Sequence, residues 1–432
     1  MSTNKAATFG SMLNEWLVND LFEQAFQEQS WLWKECTVVK TWNGGTLIVP
    51  FQDHYANSVA MGQLSDDADL SSAGYTRGYL SGYKEAYGSI VFNSRDLQYD
   101  HYKISEQSFI SLLPQQLQQL MKFMRQTISI QLLNGGRLDG VATGFVGDAT
   151  GAVTVLHPER FQRTMKVVLK DADTTVTGYV ESINRSTGEL FIFDARTGGA
   201  ASDLTGLDDT TDIYIDGGDT TAFGSLKDML LPAAAGGSDS YANVTKLDST
   251  FSQPILYDAG GSGGLGPDWN TGTAVDGNSI LTLIFDAYRK NLQRGGEADT
   301  AIMSYKHYSA CMLALEKGSG GFRHTDMNVS YAGYSKIEVF GVVGKLTLMG
   351  VREMDDDYIG VIKLKEMKFY CGNKPFQALE SPEGLKYYTK RATTGYQYIS
   401  DIGLVGDFLL CNPWHATGIY NIPDYDIPAI TA

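Results

Sequence analysis

The spacing of apolar residues divides the chain into stretches of different period. Over 11–33 (SMLNEWLVNDLFEQAFQEQSWLW), Leu13, Trp16, Leu17, Leu21, Phe22 and Phe26 recur at helical intervals and leave one apolar face, which predicts a short amphipathic N-terminal arm. In ECTVVKTWNGGTLIVPF two β-like runs flank Asn43, Gly44 and Gly45. Asn-Gly is a strong hairpin signal, so 35–51 reads as a hairpin. Next, GYTRGYLSGYKEAYGSIVF repeats tyrosine every four residues (Tyr75, Tyr79, Tyr83, Tyr87), with Gly74, Gly78 and Gly82 interleaved. A period of four suits a helix face or a strand face. Each interior glycine would cost a helix about 1 kcal/mol, so an extended form is expected, with all four tyrosines on one side. Such a stripe is either an interface, where Tyr supplies amphipathic contact area, or a sheet face covered by the chain's own core.

From 105 to 134 the period is helical again. Pro114 suits a first turn, Leu117, Leu120, Met121, Met124, Ile128 and Leu132 make one stripe, and Asn134, Gly135 and Gly136 supply a left-handed stop. A single-striped helix over 114–133, about 30 Å long, follows. Between 150 and 217 the runs MKVVLK, TGYVESI, ELFIFDA and DIYID predict short strands that can bury a core only by curling into a small barrel or sandwich. Residues 231–277, rich in Gly, Ser, Asp and Ala without a period, read as a long surface excursion. Beyond it, Asn278 or Ser279 can cap a helix ending near Gln293, ADTAIMS reads as a strand, and Ser304 can cap a second helix reaching Lys317. KIEVFGV, KLTLMGV and YIGVIKLKEMKFYC read as strands, with Asp355, Asp356 and Asp357 in a solvated turn, and DFLLCNP and 418–422 repeat the habit. Helices and strands mix without regular alternation, so the class is α+β.

Composition then narrows the function. The 432 residues allow about two or three domains. Asp plus Glu number 50 against 34 Lys plus Arg, a net charge of −16, which argues against a surface that grips phosphate over its whole extent. At 43% hydrophobic and 19% charged, the chain is too apolar for disorder and sparsely charged enough to leave area for partners. Cys36, Cys311, Cys371 and Cys411 lie far apart without metal-ligand spacing and are expected to be buried, reduced thiols. Neither a signal-peptide core nor a membrane-spanning stretch is found, so export by signal peptide and membrane insertion are not expected.

Chemistry-bearing motifs are scarce. His54, His101, His157, His307, His324 and His415 are scattered without zinc spacing, and there is neither a GxSxG elbow nor a phosphate-binding P-loop. The run GSGGLG at 261–266 fits GxGxxG but is followed by Pro267, Asp268 and Trp269 instead of a helix, so it reads as a loop without an anion site. The acidic runs 66–69 and 355–357 lack the Gly and Glu positions of a calcium loop. No catalytic residue, metal or cofactor is expected.

The order of parts (apolar arm, tyrosine and glycine hairpin, long helix, β-insertion, mixed domain, returning strands) resembles the major capsid protein of tailed bacteriophages, the Hong Kong 97 fold. KEAYGSIVFNSRDL, GGEADTAIMSYKHYSACM and DFLLCNPWHATGIYNI carry the resemblance. It implies an N-arm and first hairpin at 1–52, an E-loop at 53–97, a spine helix with peripheral (P) domain at 98–149, and an inserted small β-barrel at 150–217. An axial (A) domain at 218–385 with its glycine-rich loop 231–277, then P-domain strands at 386–432, complete the layout. The function implied is assembly as hexamers and pentamers into the icosahedral head around double-stranded DNA, in the host bacterial cytoplasm. Portal, scaffolding and decoration proteins are the further partners by that resemblance. Candidate inter-subunit residues are Trp16, Tyr75, Arg77, Tyr79, Tyr83, Lys84, Glu85 and Tyr87. Some relatives cross-link a Lys to an Asn; Lys84 and Asn93 lie in the corresponding region, but nothing in the sequence pairs them. The rival readings are an encapsulin, a protein compartment of the same fold, and a carbohydrate-active enzyme or sugar-binding protein, which would need two carboxylates flanking an aromatic cleft.

Overall fold

A computed structural model describes residues 31–54, 74–93, 106–245 (except 197, 222, 239 and 243), 253–259, 277–317, 325–330, 334–341, 344–372, 375–378, 388–392 and 395–422. The arm stripe with Trp16, the acidic run 66–69 and the glycine-rich stretch 260–276 lie outside the described residues. Among those described, no helix is long and apolar enough to cross a membrane.

The fold is mixed α+β around three hydrophobic cores. The largest sheet has seven strands in the order Ile255–Asp258, Thr417–Tyr420, Tyr358–Ile362, Thr300–Ser304, Gly344–Val351, Tyr334–Gly341 and Thr325–Ser330. Its middle strands are apolar without interruption because both faces are covered. Ala301, Met303, Leu348, Ile359 and Val361 point into a core shared with the helices Gly277–Gln293 and Tyr305–Lys317. Ile302, Met349, Val351, Tyr358 and Ile362 point the other way, into the main core.

A second sheet is built on one long strand, Gly395–Leu410. Lys84–Asn93 pairs along 397–406, while Tyr388–Ala392, Phe376–Ala378 and Met367–Tyr370 pair with 395–399, 402–404 and 407–410, and Thr37–Val39 joins parallel to Met367–Tyr370 at the edge. Between these two sheets in the chain lies a six-stranded barrel. Its order is Asp139–Gly140, Asp212–Ile215, Lys166–Lys170, Thr175–Asn184, Glu189–Phe193 and Ala152–Thr154, and a bridge between Val141 and Val155 closes it.

Four local expectations are corrected. Residues 35–51 do not form a hairpin: Thr37–Val39 goes to one sheet, while Leu47–His54 pairs with Gly74–Leu80. The reason is Trp42, 3% exposed, whose N–H donates to the Cys371 carbonyl at 3.1 Å and pins the turn to the body before the second run begins. The long helix runs Glu106–Leu133, so Pro114 sits inside it. A proline there forfeits one backbone bond, a cost of about 3 kcal/mol, yet the stripe continues upstream in register through Phe109, Ile110 and Leu113. Nor is the helix single-striped. Met121, Met124, Ile128 and Leu132 face the main core while Ile130 enters the barrel core, so 127–134 is buried on every side.

The run YIGVIKLKEMKFYC splits into Tyr358–Ile362 and Met367–Tyr370, which belong to different sheets, separated by the turn Leu364–Glu366. Two sequence-based boundaries are likewise crossed by hydrogen bonding. Thr417–Tyr420, beyond 386, closes into the seven-stranded sheet, and Asp139–Gly140, before 150, is a barrel strand. Strand pairing over long separations is what a local pattern leaves out.

Because Ile130 fills the barrel core from the helix, Ile130→Ala should destabilise the protein by about 2–4 kcal/mol, read as a lower urea midpoint. A loss under about 0.5 kcal/mol would mean that the helix does not plug the barrel.

Candidate functional site

The hairpin Leu47–His54 with Gly74–Leu80 places Ile48 opposite Tyr79 and Leu47 opposite Leu80. Side chains alternate across it. Val49, Phe51 and Leu80 are buried in the main core, while Ile48 (53%), Tyr79 (38%) and Arg77 are exposed on the outer side. Gly78 faces inward because the Phe51 ring occupies the space of its missing side chain: a Cβ there would lie 2.3 Å from Phe51 Cε2.

The chain then bends at 81–83, with Gly82 at φ 76°, a left-handed conformation that glycine adopts without steric cost. The bend breaks the expected tyrosine stripe. Tyr83 turns inward, its ring edge-on to Trp42 at 4.7 Å between centroids, and its hydroxyl donates to the Trp42 carbonyl. Strand Lys84–Asn93 continues in the other sheet with Glu85, Tyr87 (67%) and Val91 exposed. Tyr79 and Tyr87 are therefore outward, Tyr83 is structural, and the Tyr75 side chain and Trp16 lie outside the described residues. Of the large apolar side chains that the described residues expose, Ile48, Tyr79, Tyr87 and Val91 lie on these two connected elements, whereas Val146, Leu156 and Tyr305 lie elsewhere.

Lys84 is not presented outward. Its Nζ lies 3.4 Å from Asp407 Oδ2, and Asp407 Oδ1 accepts the N–H groups of Gly224 (2.8 Å) and Phe408 (2.9 Å). Burial pushes the Asp407 carboxyl above the usual carboxylate range, and Lys84 offsets this only in part. Beside this pair, a groove of about 410 Å³ runs between the Tyr87 strand, the long helix and the barrel, lined by Glu85, Tyr87, Leu120, Phe123, Met165 and Phe223.

The junction of the long helix, the barrel and the seven-stranded sheet holds a charged cluster that sequence reasoning missed. Asp355, taken as part of a solvated turn, is 5% exposed. Its carboxylate receives Arg160 Nη1 at 2.7 Å and Arg137 Nη2 at 3.0 Å. Arg137 also reaches Asp212 (2.8 Å) and Asp357 (3.1 Å), and the buried Lys227 is hydrogen-bonded to Asp357. Burial alone would raise the Asp355 pKa, but the three cations hold it well below the usual range. Asn134 at the helix stop donates to the Glu353 carbonyl (2.8 Å) and accepts from Asp355 N–H (3.1 Å). No motif announces this cluster, since its members come from three stretches of the chain, 134–160, 212–227 and 353–357. A run of three aspartates after an apolar strand was the available signal, and it reads equally well as a solvated turn.

His157 Nδ1 lies 2.8 Å from Asp139 Oδ1. Burial disfavours the charged ring, but the Asp139 bond outweighs it and raises the pKa. All four cysteines are free and buried, and among the described residues no group of three or more His, Cys, Asp and Glu is placed to hold a metal ion.

No family model and no curated protein matches the chain. Among solved structures, it is similar to a chain of the satellite phage P4 procapsid including the size determination (Sid) protein, at 11% identity over 93% of this chain and 98% of that one, TM-score 0.38. It is also similar to the holo-SrpI encapsulin complex from Synechococcus elongatus PCC 7942, at 8% identity over 92% and 90%, TM-score 0.42. A third similarity is to the capsid of the native GTA particle, at 9% identity over 90% and 89%, TM-score 0.42.

Gly78→Ala should force Phe51 out of its buried place and cost about 1–3 kcal/mol, measured by urea denaturation; an unchanged midpoint would show that Phe51 can yield freely. For His157 the folded pKa is raised, so its stabilising contribution is complete below the unfolded value and is lost as pH rises through the folded one. The stability difference between wild type and His157→Gln should therefore be largest near pH 6 and shrink toward pH 9. A difference that stays constant with pH would remove the charged ring from the account.

Proposed function

We propose that the chain is a shell-forming subunit, the major capsid protein of a tailed double-stranded DNA bacteriophage, which assembles with copies of itself as hexamers and pentamers into the phage head. The observation that carries this reading is the outward face of the hairpin and its following strand. Ile48 and Tyr79 form an exposed cross-strand pair, and Tyr87 and Val91 continue the exposed apolar surface on the next strand. The opposite side of the hairpin is anchored in the core by Val49, Phe51 and Leu80. Cross-strand aromatic and β-branched pairs of this kind stabilise a sheet when they are covered. A second copy of the chain is the covering surface proposed here.

Exposed Arg77 and Glu85 flank the apolar residues with opposite charges and would set the register between copies. Individual contacts of this size are weak, and closure of a symmetric shell sums them. The surplus of acidic residues suits a wall that does not hold packaged DNA, which stays a non-specific neighbour. The protein is proposed to act without catalysis, in the virion, with portal and scaffolding proteins as further partners.

The double variant Tyr79→Ser, Tyr87→Ser removes exposed side chains only, so its circular dichroism and urea midpoint should match wild type while closed particles, counted in negative-stain images, fall at least tenfold. Normal particle yield would overturn the reading of this face. The contents of wild-type particles separate the rivals: nuclease-protected DNA fits a phage head, and a single protein cargo without nucleic acid would fit an encapsulin instead.

A further inference from the structure

Resting on the shell-forming reading, we infer that the angle at which the hairpin leaves the body is set inside each subunit, by Asp407 and by a strap, Ser240–Tyr241 with Val244–Thr245, that meets the hairpin's root at Tyr79. Asp407, on the long strand of the second sheet, faces two elements that are remote in sequence. Its Oδ2 takes Lys84, the first residue of the strand that leaves the hairpin, at 3.4 Å. Its Oδ1 takes the N–H of Gly224 at 2.8 Å. Gly224 cannot be a larger residue without displacing backbone, because a Cβ there would lie 2.5 Å from the Phe408 carbonyl oxygen. The next residue, Ser225, caps the helix Leu226–Leu230 by accepting the Asp228 N–H at 3.0 Å. That helix leads into the strap, a small ribbon of Ser240–Tyr241 against Val244–Thr245.

At the bend of the ribbon, Ala242 has φ 48°, a left-handed conformation that a residue with a side chain adopts at a cost. The strained residue is the one that reaches the hairpin: its carbonyl accepts the Tyr79 N–H at 2.7 Å, on the edge of the hairpin away from its partner strand. The contacts therefore close a ring, from Lys84 to Asp407 to Gly224, along the helix and strap to Ala242, and back to Tyr79. The ring surrounds a polar cleft of about 400 Å³ that Ser81, Tyr214, Asp219 and Asp228 help to line. Turning the hairpin about 81–83 requires breaking the Tyr79 bond, the Lys84 pair, or both. The Ile48 and Tyr79 face is then presented to neighbours over a narrow range of angles, which limits the curvature that joined copies can take.

Two variants test this. Lys84→Met removes the cation at the more exposed end of the pair, and Asp407, whose pKa burial already raises, can take up a proton in its place. Asp407→Asn keeps the Oδ1 acceptor for Gly224 and Phe408 while losing the charge. In the isolated subunit, the Tyr79 amide should exchange at least tenfold faster in both variants, while the amides of Thr300–Ser304 exchange as in wild type. Assembled particles of either variant should spread in diameter where wild type gives one size. Unchanged Tyr79 exchange in both variants overturns the inference, and so does a single particle diameter despite faster exchange. If wild type itself forms no shell, the shell-forming reading falls, while the exchange measurement on the subunit still decides the strap. Lys84→Met supplies that measurement alone if Asp407→Asn does not fold.

Discussion

The buried carboxylate of Asp355 is the constraint on which the arrangement of the molecule depends. An ion that is almost wholly removed from water must be paired and hydrogen-bonded, because an unpaired buried charge costs several kcal/mol. The partners come from different bodies: Arg137 and Arg160 from the root and the first turn of the barrel, and Asn134 from the stop of the long helix. The turn that carries Asp355 joins two central strands of the seven-stranded sheet. Satisfying one side chain thus brings helix, barrel and sheet to a single point. Tyr358 strengthens the same junction by donating to the Leu133 carbonyl at 2.7 Å. Replacing any one partner would leave the others buried without their counter-charge, which is strongly destabilising.

With the body fixed in this way, the hairpin can act as a projecting element of defined direction. Its inner side contributes three large apolar groups to the main core, and its outer side keeps apolar area in water. A folded chain gains nothing by itself from exposing Ile48 and Tyr87, since burying each would stabilise it by about 1.5–3 kcal/mol. Their placement on one connected pair of elements makes sense if another molecule supplies the burial. The repeat of tyrosine and glycine serves two ends at once. Outward tyrosines offer contact area, while Gly78 and Gly88 let the Phe51 ring and the Leu120 and Met124 side chains of the long helix approach the strands closely.

Much of the fold was legible in the sequence. The left-handed stop at Asn134, Gly135 and Gly136 ends the helix as the pattern requires, with both glycines at positive φ. ADTAIMS, read as a strand, is one, and Thr300–Ser304 is buried on both faces. The inserted strands had too few residues to bury a core except as a small barrel or sandwich, and they close as a barrel. The failures share a cause. The Asn43, Gly44 and Gly45 turn was read as a hairpin because the signal is local, whereas Trp42 is held by Cys371, a residue far along the chain. The tyrosine period was taken as one face because nothing in it tells that Tyr83 would leave the line to pack on Trp42. At the candidate site, the tyrosine period singled out Tyr79 and Tyr87, which the fold leaves exposed, while exposed Ile48 was not singled out, since one isoleucine in an apolar strand carries no mark of which side it faces.

What the sequence determined by itself is therefore the set of elements and their periods, because helix stops, turns and the alternation of strands depend on neighbours within a few residues. The tertiary structure alone decided which strands share a sheet, which side of the hairpin meets water, and which charges are buried together. Those outcomes depend on pairing and desolvation between segments separated by tens to hundreds of residues. Asp355 shows the difference: three consecutive aspartates look the same in sequence whether they are hydrated or enclosed, and only the arrival of Arg137 and Arg160 makes enclosure the lower free energy.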